Sequence, residues 1–550
     1  MKSLSLRDKV AQLVMITSYG EALSSRSSTY KDLVHSVSKL RVGGLIVVNR
    51  VSGGTVRHAE PHAMATFVNR MQRLAKVPLL VGADFERGAS MRVSGTVKYP
   101  HQMAYGAAAD LSLTRALGLA TAREARALGV HWVFAPVADI NSNPENPIIN
   151  IRSFGEDPKA VGEHVAAFIE GAHSSPNEKV LVTAKHFPGH GDTNVDSHMG
   201  LPRLEADRSR IANTELVPFH SAIKAGVDAV MTAHMAVPAL EPEGIPATIS
   251  PSVLSGVLRG ELNFDGLVVT DAMDMQGLTK QVPGGEAAVR ALQAGADMLL
   301  MPPNPDGAIA AVMEALRDGR LTEKRIEESV VRVLAAKAKL RLDRKRYVDV
   351  EAISDVLESP ELVQHAQTAA DRAITLVRNT NGIVPLKQPE SACVYVLAES
   401  RSGVQGRRFQ EEVRARSKNT KVFVLDPHSA TVESDHFLEA SSGCESLVLA
   451  AFVTVGAYRG NVALGGGYPQ LVQALLTRRP VPVILVSLGS PYLLRSFPEV
   501  SAYLAAYSPA PTSEAAVVKA LFGDIPVGGR LPVTIPGLAA MGDGLKVVKN

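Results

Sequence analysis

Short runs of β-branched and other apolar residues alternate with amphipathic stretches of helical length up to about residue 345 of this 550-residue chain. Strands that alternate with helices form parallel sheets, because each helix returns the chain to the same edge of the sheet. About seven such units favour a closed (β/α)8 barrel over an open sheet, with Leu4–Met15 as a starting helix. The candidate strands are 44–48, 78–82, 132–136, 180–184, 229–233, 266–270 and 297–301.

A second alternation of strands and helices follows residue 379 and resembles an open α/β sandwich rather than a barrel. Between the two alternations, the sequence predicts a linker and an amphipathic connecting helix. We therefore predict an α/β chain with three regions: a catalytic TIM-like (β/α)8 barrel at 1–345, a linker with its helix at 346–378, and an αβα sandwich domain at 379–550.

Composition excludes several classes of protein. The 58 basic and 55 acidic residues nearly balance, which argues against nucleic acid or a membrane surface as the main partner. The sequence contains no apolar run long enough for a transmembrane helix, and its start lacks a secretory signal. We expect a cytoplasmic protein, with export of a longer precursor left open, and favour a monomer. Cys393 and Cys444 each lie beside an apolar strand, which predicts two separate buried thiols.

Polar side chains gather where the predicted barrel strands end. Because these ends converge on one mouth of a barrel, the side chains are expected to share a pocket. The densest group is the stretch 185–198, which holds three histidines, two aspartates and a lysine just after an apolar strand. The polar residues that follow strand ends include Asp84, Arg92, Asp139, Arg152, Lys185, His186, His234 and Asp271.

These residue types suit chemistry at a sugar. Asp271 is a candidate nucleophile, and Asp196 can orient the imidazole of His198, two residues away, for general acid/base catalysis near neutral pH. A polar cage with donors and acceptors would bind the hydroxyl groups of a carbohydrate. A carboxylate nucleophile beside an acid/base is the arrangement of a retaining glycosidase. The predicted cage residues are Asp84, Arg92, Arg152, Lys185 and His186.

Two other functions compete with this hypothesis. His186, His190 and His198 with Asp192 could bind Zn²⁺, but Pro188 and Gly189 prevent the first two histidines from sharing a helix face. A non-catalytic sugar-binding protein would not need both Asp271 and the Asp196–His198 pair. We therefore predict an enzyme that uses no cofactor and no metal and acts on a small carbohydrate.

The chain resembles the β-N-acetylglucosaminidase branch of glycoside hydrolase family 3. Four segments carry the resemblance: Lys185–Gly191 followed by Asp196-Ser197-His198, Val269–Met273, Asn150–Gly155 and Gly529–Thr534. The resemblance implies that Asp271 forms a covalent glycosyl-enzyme and that His198, paired with Asp196, is the acid/base on a mobile loop. It also implies that the predicted cage residues hold an N-acetylglucosamine ring.

The resemblance leaves the natural substrate open. It implies β-linked N-acetylglucosaminides from peptidoglycan or chitin, and the single tryptophan, Trp132, favours small fragments over polymers. Asp84 is followed by Phe85-Glu86-Arg87-Gly88, where the recycling enzymes of this branch carry Gln-Glu-Gly-Gly, so the neighbouring wall of the pocket differs. The alternatives within the family are a β-glucosidase and a phosphorylase that transfers the sugar to phosphate.

Overall fold

The structure, a computed structural model, describes residues 4–52, 55–400, 403–456 and 458–549. The chain forms two compact units. The first consists of Met1–Val97, Thr114–Ile140 and Val161–Leu362, and the second of Lys98–Leu113, Asn141–Ala160 and Val363–Asn550. The second unit thus includes two short segments from the first half of the sequence, while the boundaries proposed from the sequence at 345 and 379 stay a prediction.

Eight parallel strands form the barrel of the first unit, in the order β8-β1-β2-β3-β4-β5-β6-β7. The two ends of this order meet where Val269 of β7 bridges Met298, just before β8. The predicted barrel is therefore confirmed. The strands are β1 Val14–Ser18, β2 Gly44–Val47, β3 Leu80–Ala83, β4 Trp132–Val133, β5 Leu181–Phe187, β6 Ala229–Thr232, β7 Leu267–Val269 and β8 Leu299–Leu300.

Strand β1 corrects the predicted starting helix. The helix covers only Leu6–Ala11, and the chain then enters the barrel as Val14–Ser18, which pairs with β2 and β8. The apolar run Leu13-Val14-Met15-Ile16 fits either structure when read alone. It forms a strand because it pairs with two strands that are distant in sequence.

Trp132 lies on strand β4 of the barrel. The side chain of Trp132 is fully buried, and its indole N–H donates to Thr183 Oγ1 at 2.7 Å. The indole N–H therefore has a hydrogen-bond partner although the ring is buried. Trp132 therefore belongs to the barrel core, as expected from its position inside a strand.

The helices vary from one turn to about five. Within the described residues, none is long and apolar enough to cross a membrane. The α-helices are α1 Leu6–Ala11, α2 Ser28–Val34, α3 Pro61–Leu74, α4 Gln102–Ala108, α5 Leu111–Ala127, α6 Pro158–His173, α7 Arg208–Asn213, α8 Val217–Lys224, α9 Gln276–Thr279, α10 Gly284–Ala294, α11 Pro305–Arg317, α12 Glu323–Lys339, α13 Ile353–Leu357, α14 Pro360–Ala373, α15 Arg407–Arg416, α16 Ser429–Val432, α17 Ser434–Ala440, α18 Tyr468–Arg478 and α19 Pro511–Phe522.

The second unit contains a six-stranded sheet in the order β9-β14-β13-β12-β10-β11. All pairs are parallel except β9 with β14. The sequence predicts a connecting helix to 378, but the helix ends at Ala373 and the next residues form the antiparallel edge strand. The strands are β9 Thr375–Asn379, β10 Ala392–Leu397, β11 Lys421–Leu425, β12 Ser446–Val453, β13 Val483–Gly489 and β14 Ala502–Ala505.

Both faces of this second sheet are buried, as expected for a sandwich with helices on two sides. Successive residues of β10 alternate between two apolar clusters: Tyr395 and Leu397 pack in one, and Val394 and Val396 in the other. The two cysteines, predicted to be separate thiols, are joined in a disulfide. Cys393 lies on β10 and Cys444 just before the neighbouring β12, a proximity that only the sheet order creates.

Candidate active site

The carboxyl ends of the barrel strands bring most of the predicted site residues to one mouth. Asp84 directly follows β3, Lys185 and His186 lie near the end of β5, and Asp271 follows β7 by two residues. Arg92, Asp196 and His198 lie on the loops that continue from β3 and β5. The sequence-based grouping of these residues thus corresponds to a real convergence of strand ends.

Asp84 is held by two cations. Its Oδ1 accepts a hydrogen bond from Lys185 Nζ at 2.8 Å, and its Oδ2 accepts one from Arg92 Nη2 at 2.7 Å. Burial raises the pKa of Asp84, but the positive charges of Lys185 and Arg92 outweigh it and hold that pKa well below the ordinary value. Asp84 is therefore a fixed anion, able to accept hydrogen bonds from sugar hydroxyl groups.

Glu86 is a member of this cluster that the sequence analysis did not select. Its Oε1 lies 2.9 Å from Lys185 Nζ, and both side chains are almost fully buried. A buried ammonium group needs such partners, because burial without counter-charges is costly. The acidic residue two positions after Asp84 was visible in the sequence, but its pairing with Lys185 was not.

His186 is oriented by a second residue that the predicted set omits, Asp139. The Nδ1 of His186 lies 2.7 Å from Asp139 Oδ2, and the backbone N–H groups of His186 and His190 donate to Asp139 Oδ1 at 3.1 and 2.7 Å. Burial raises the pKa of Asp139, but the interaction with His186 lowers it by more. The pKa of Asp139 is therefore below its ordinary value. A carboxylate on Nδ1 fixes the tautomer and the orientation of the His186 ring.

Asp196 and His198 form the predicted pair. The Nδ1 of His198 lies 2.7 Å from Asp196 Oδ1, which also accepts the backbone N–H of His198 at 2.9 Å. The Asp196 side chain is only 1% exposed and that of His198 is 26% exposed. The buried carboxylate thus engages Nδ1 and orients the partly exposed ring, which is the arrangement that an acid/base histidine needs.

The loop that carries His198 is fastened to the segment that follows Asp271. Gly277 donates its backbone N–H to Ser197 O at 3.0 Å, and Lys280 Nζ donates to Met199 O at 2.9 Å. These bonds flank His198 on both sides and fix it relative to the chain that carries the candidate nucleophile. The predicted closure of the loop over a bound sugar stays a prediction.

Asp271 has the electrostatic environment of an ionised carboxylate. Its Oδ1 accepts the backbone N–H of Ala272 at 2.7 Å. Burial raises the pKa of Asp271, but the charges of His186, His234 and His198 together lower it below the ordinary value. An anionic carboxylate at the mouth of the barrel can attack an electrophilic carbon.

His234 is excluded as an alternative acid/base by its contacts. The ring is fully buried, with Nδ1 at 2.8 Å from Thr248 Oγ1 and Nε2 at 2.9 Å from Ala272 O. Both nitrogens are therefore engaged, and burial lowers the pKa of the ring despite the nearby charge of Asp271. His234 supports the backbone that positions Asp271.

Two family models match the chain and together span most of it. Residues 5–336 match the glycosyl hydrolase family 3 N terminal domain, and residues 374–542 match the glycosyl hydrolase family 3 C-terminal domain. The chain belongs to glycosyl hydrolase family 3. The resemblance stated from the sequence is thereby confirmed, and the chain is a glycoside hydrolase.

Relatives that match this chain over most of its length carry different names. A protein of Cellulomonas fimi, named beta-N-acetylglucosaminidase/beta-glucosidase, is 31% identical over 518 residues, which is 88% of this chain and 88% of the relative. A solved family 3 beta-N-acetylglucosaminidase from Paenibacillus sp. str. FPU-7 is 33% identical with a TM-score of 0.86, covering 97% of this chain and 99% of its own. A solved beta-glucoside phosphorylase is 26% identical with a TM-score of 0.85, covering 97% of this chain and 95% of its own.

Arg152 is the one predicted cage residue outside the first unit. It lies in the short 3-10 helix Asn150–Arg152 of the second unit, where its Nη1 donates to Ile148 O at 2.9 Å. Its role in binding sugar in this family 3 enzyme therefore stays a prediction.

The zinc hypothesis finds no support in the arrangement of side chains. Across the described ranges, no three histidine, cysteine, aspartate or glutamate side chains are placed to hold one metal ion. His186 is bound to Asp139 and His198 to Asp196, so the histidines of the 185–198 stretch face different partners. Their pairing with carboxylates fits acid/base and positioning roles.

Proposed function

We propose that this family 3 enzyme is a retaining β-N-acetylhexosaminidase that releases β-linked N-acetylglucosamine from small glycosides. The observation that supports it most is the ionised Asp271 at the same mouth as the buried Asp196 and partly exposed His198. The names of the relatives from Cellulomonas fimi and Paenibacillus sp. support the choice of sugar.

In the first step, Asp271 attacks the anomeric carbon while His198, protonated on Nε2, gives its proton to the glycosidic oxygen. The bond from the anomeric carbon to the leaving group breaks, and an ester bond to Asp271 forms. In the second step, the neutral His198 takes a proton from water as the water oxygen attacks the anomeric carbon, which frees Asp271 and leaves His198 protonated. The configuration is retained because the carbon is inverted twice.

The other residues hold the sugar and the catalytic groups. Asp84, with Lys185 and Arg92, would bind ring hydroxyl groups as an anchored acceptor and two donors, and His186 and Arg152 would complete the cage. Asp196 would hold the His198 ring in the correct tautomer. The N-acetyl group would be recognised by contacts and would not act as the nucleophile, since Asp271 supplies one.

Trapping of the glycosyl-enzyme tests this proposal. A 5-fluoro glycosyl fluoride of N-acetylglucosamine should label one peptide, and mass spectrometry should locate the label on Asp271. A label on another carboxylate would refute the role of Asp271. In parallel, p-nitrophenyl glycosides of N-acetylglucosamine and of glucose should be hydrolysed with a clear preference for the first. Preference for the glucoside would indicate a β-glucosidase, and activity on neither would indicate a sugar-binding protein.

A phosphorylase is the second candidate function. A neutral His198 acting as the base carries no negative charge, so it would not repel a phosphate ion as a glutamate base would. The similarity to a solved beta-glucoside phosphorylase supports this candidate. If phosphate accelerates turnover and the product is N-acetylglucosamine 1-phosphate, the enzyme is a phosphorylase; if the product is free N-acetylglucosamine at all phosphate concentrations, it is a hydrolase.

The natural substrate, the oligomeric state and the cellular location of this enzyme are proposals. Peptidoglycan or chitin fragments are the proposed substrates, and a monomer is the proposed state. A cytoplasmic location is the expectation from the sequence, whereas a disulfide such as Cys393–Cys444 is more common in proteins of oxidising compartments.

A further inference from the structure

Asp274 is an unneutralised carboxylate three residues after Asp271. Its side chain is exposed, and among the described residues no ion pair reaches it. Within the described residues, the negative charge of Asp274 is therefore not cancelled by an ion pair.

The backbone of Asp274 is pinned at both sides. Met273 donates its N–H to Leu300 O at 2.9 Å, which ties the segment to the barrel. Gly277 donates its N–H to Ser197 O at 3.0 Å, which ties the other side to the residue before His198. Asp274 thus lies on the short connection between the proposed nucleophile and the loop of the proposed acid/base.

Charge interactions agree with this placement. Although Asp274 is exposed, its carboxylate loses some hydration, which raises its pKa; the charge of Asp271 raises this pKa further, and that of His198 acts in the opposite direction. Asp274 is three residues from Asp271 and three residues before Gly277, whose N–H is bonded to Ser197 O next to His198, so it lies on the segment that joins the two groups. Of these two, His198 is the group that gives its proton to the glycosidic oxygen in the proposed reaction, so the leaving group begins at His198.

We propose that Asp274 determines specificity for the leaving group by its charge, favouring an aglycone sugar with a free, protonated amino group and disfavouring one with a carboxylate. This inference rests on the proposed function, because it uses the proton donation by His198. It also selects among the proposed substrates: partly deacetylated chitin fragments fit this site better than fragments whose second sugar is acidic.

One cation lies on the same loop and has to be weighed. Lys280 Nζ donates to Met199 O and is exposed to solvent. Within the described residues, no ion pair joins Lys280 to Asp274. Removal of the Lys280 charge therefore serves as a second test of which group sets the charge preference.

Three disaccharides with the same N-acetylglucosamine donor test the proposal. The second sugar is glucosamine, N-acetylglucosamine or N-acetylmuramic acid, which are cationic, neutral and anionic at pH 7. Removing the charge in Asp274→Asn should lower kcat/KM for the cationic substrate about three- to tenfold and raise it for the anionic one by a similar factor. The neutral substrate should change by less than about twofold.

Asp265→Asn is the matched control. Asp265 is an exposed aspartate just before the same strand, β7, at the opposite end of the barrel. This control should leave all three values of kcat/KM unchanged. Equal changes for all three disaccharides in Asp274→Asn, or no change in any, would overturn the proposal. A charge preference that survives Asp274→Asn and disappears in Lys280→Gln would overturn it as well.

Failure of this inference can be told apart from failure of the proposed function. If wild-type enzyme hydrolyses the neutral disaccharide and the p-nitrophenyl N-acetylglucosaminide but ignores aglycone charge, the proposed function stands and the role of Asp274 is refuted. If none of the disaccharides and neither aryl glycoside is hydrolysed, the proposed function itself is refuted, and with it this inference.

Discussion

Lys337 should make the stability of the barrel depend on pH in an unusual direction. The side chain is 4% exposed on α12, and its Nζ donates to Gln12 Oε1 at 2.6 Å. No carboxylate among the described residues forms an ion pair with it. Burial lowers the pKa of Lys337 from 10.5 to about 7. Each pH unit of that difference corresponds to about 1.36 kcal/mol, so ionisation of Lys337 opposes folding by about 4 kcal/mol at pH 7.

The sign follows from proton binding. Between about pH 7 and the unfolded pKa of 10.5, the unfolded chain binds more protons at this position than the folded protein does. The free energy of unfolding therefore rises with pH across this window. Replacing Lys337 with Met removes this dependence but leaves Gln12 Oε1 without a donor, which costs about 1–3 kcal/mol. We expect Lys337→Met to be about 2 kcal/mol more stable than wild type at pH 7 and less stable near pH 10.5, with the two equal at about pH 9.

Thermal unfolding of wild type and Lys337→Met, measured in parallel from pH 6 to 10.5, tests this reasoning. The difference between the two cancels the titration of all other groups. Lys339→Met is the control, because Lys339 lies on the same helix but is exposed and pairs with Asp228. A difference between Lys337→Met and wild type that does not change with pH, or a variant less stable at pH 7, would refute the idea of a buried, uncompensated ammonium group.

Three further predictions concern the mouth of the barrel. His198→Ala should slow glycosides with poor leaving groups about 10²–10⁴-fold more than aryl glycosides with good ones, because only the former need the proton; equal loss on both, measured as kcat/KM, would make His198 a binding residue. Asp271 should stay ionised in mild acid, since its pKa is lowered, so the acid limb of kcat/KM should lie below the ordinary aspartate pKa of 3.8. This limb should move to higher pH in His234→Gln, and an acid limb near pH 5 in wild type would contradict the lowering of the Asp271 pKa by the histidines. Gly191→Ala should lower kcat/KM about 100-fold, because its Cβ would lie 1.6 Å from Ile140 O and displace the backbone between Asp139 and His190. The control Gly200→Ala, whose Cβ meets nothing closer than 3.6 Å, should keep its activity, and similar activities for the two variants would exclude a packing role for Gly191.

The sequence located the proposed site through strand ends. Asp84, Lys185 and Asp271 each follow or end an apolar run, and a parallel barrel brings the ends of such runs together whatever lies between them. The pair Asp196 and His198 was also readable, because two residues at this spacing in one loop can reach each other without help from the rest of the fold. Local patterns of this kind require no knowledge of distant contacts.

The sequence failed where a distant partner decides the structure. The predicted starting helix ran to Met15 and the predicted connecting helix to residue 378, so each extended into a strand, Val14–Ser18 or Thr375–Asn379, that forms by pairing with segments remote in sequence. The same reason explains why Asp139 and Glu86 were left out of the predicted site. Each was visible as an acidic residue near a strand end, but its importance lies in the cation or imidazole that another strand places beside it.

By itself, the sequence determined the class of fold, the mouth of the barrel and the chemistry that the residues there can perform, because periodicity and strand order are written along the chain. The tertiary structure alone decided which charged groups are neutralised. Lys185 and Arg92 neutralise Asp84, whereas Asp274 forms no ion pair within the described residues. Charge depends on burial and on neighbours a few ångströms away, and those neighbours come from parts of the chain that are far apart in sequence.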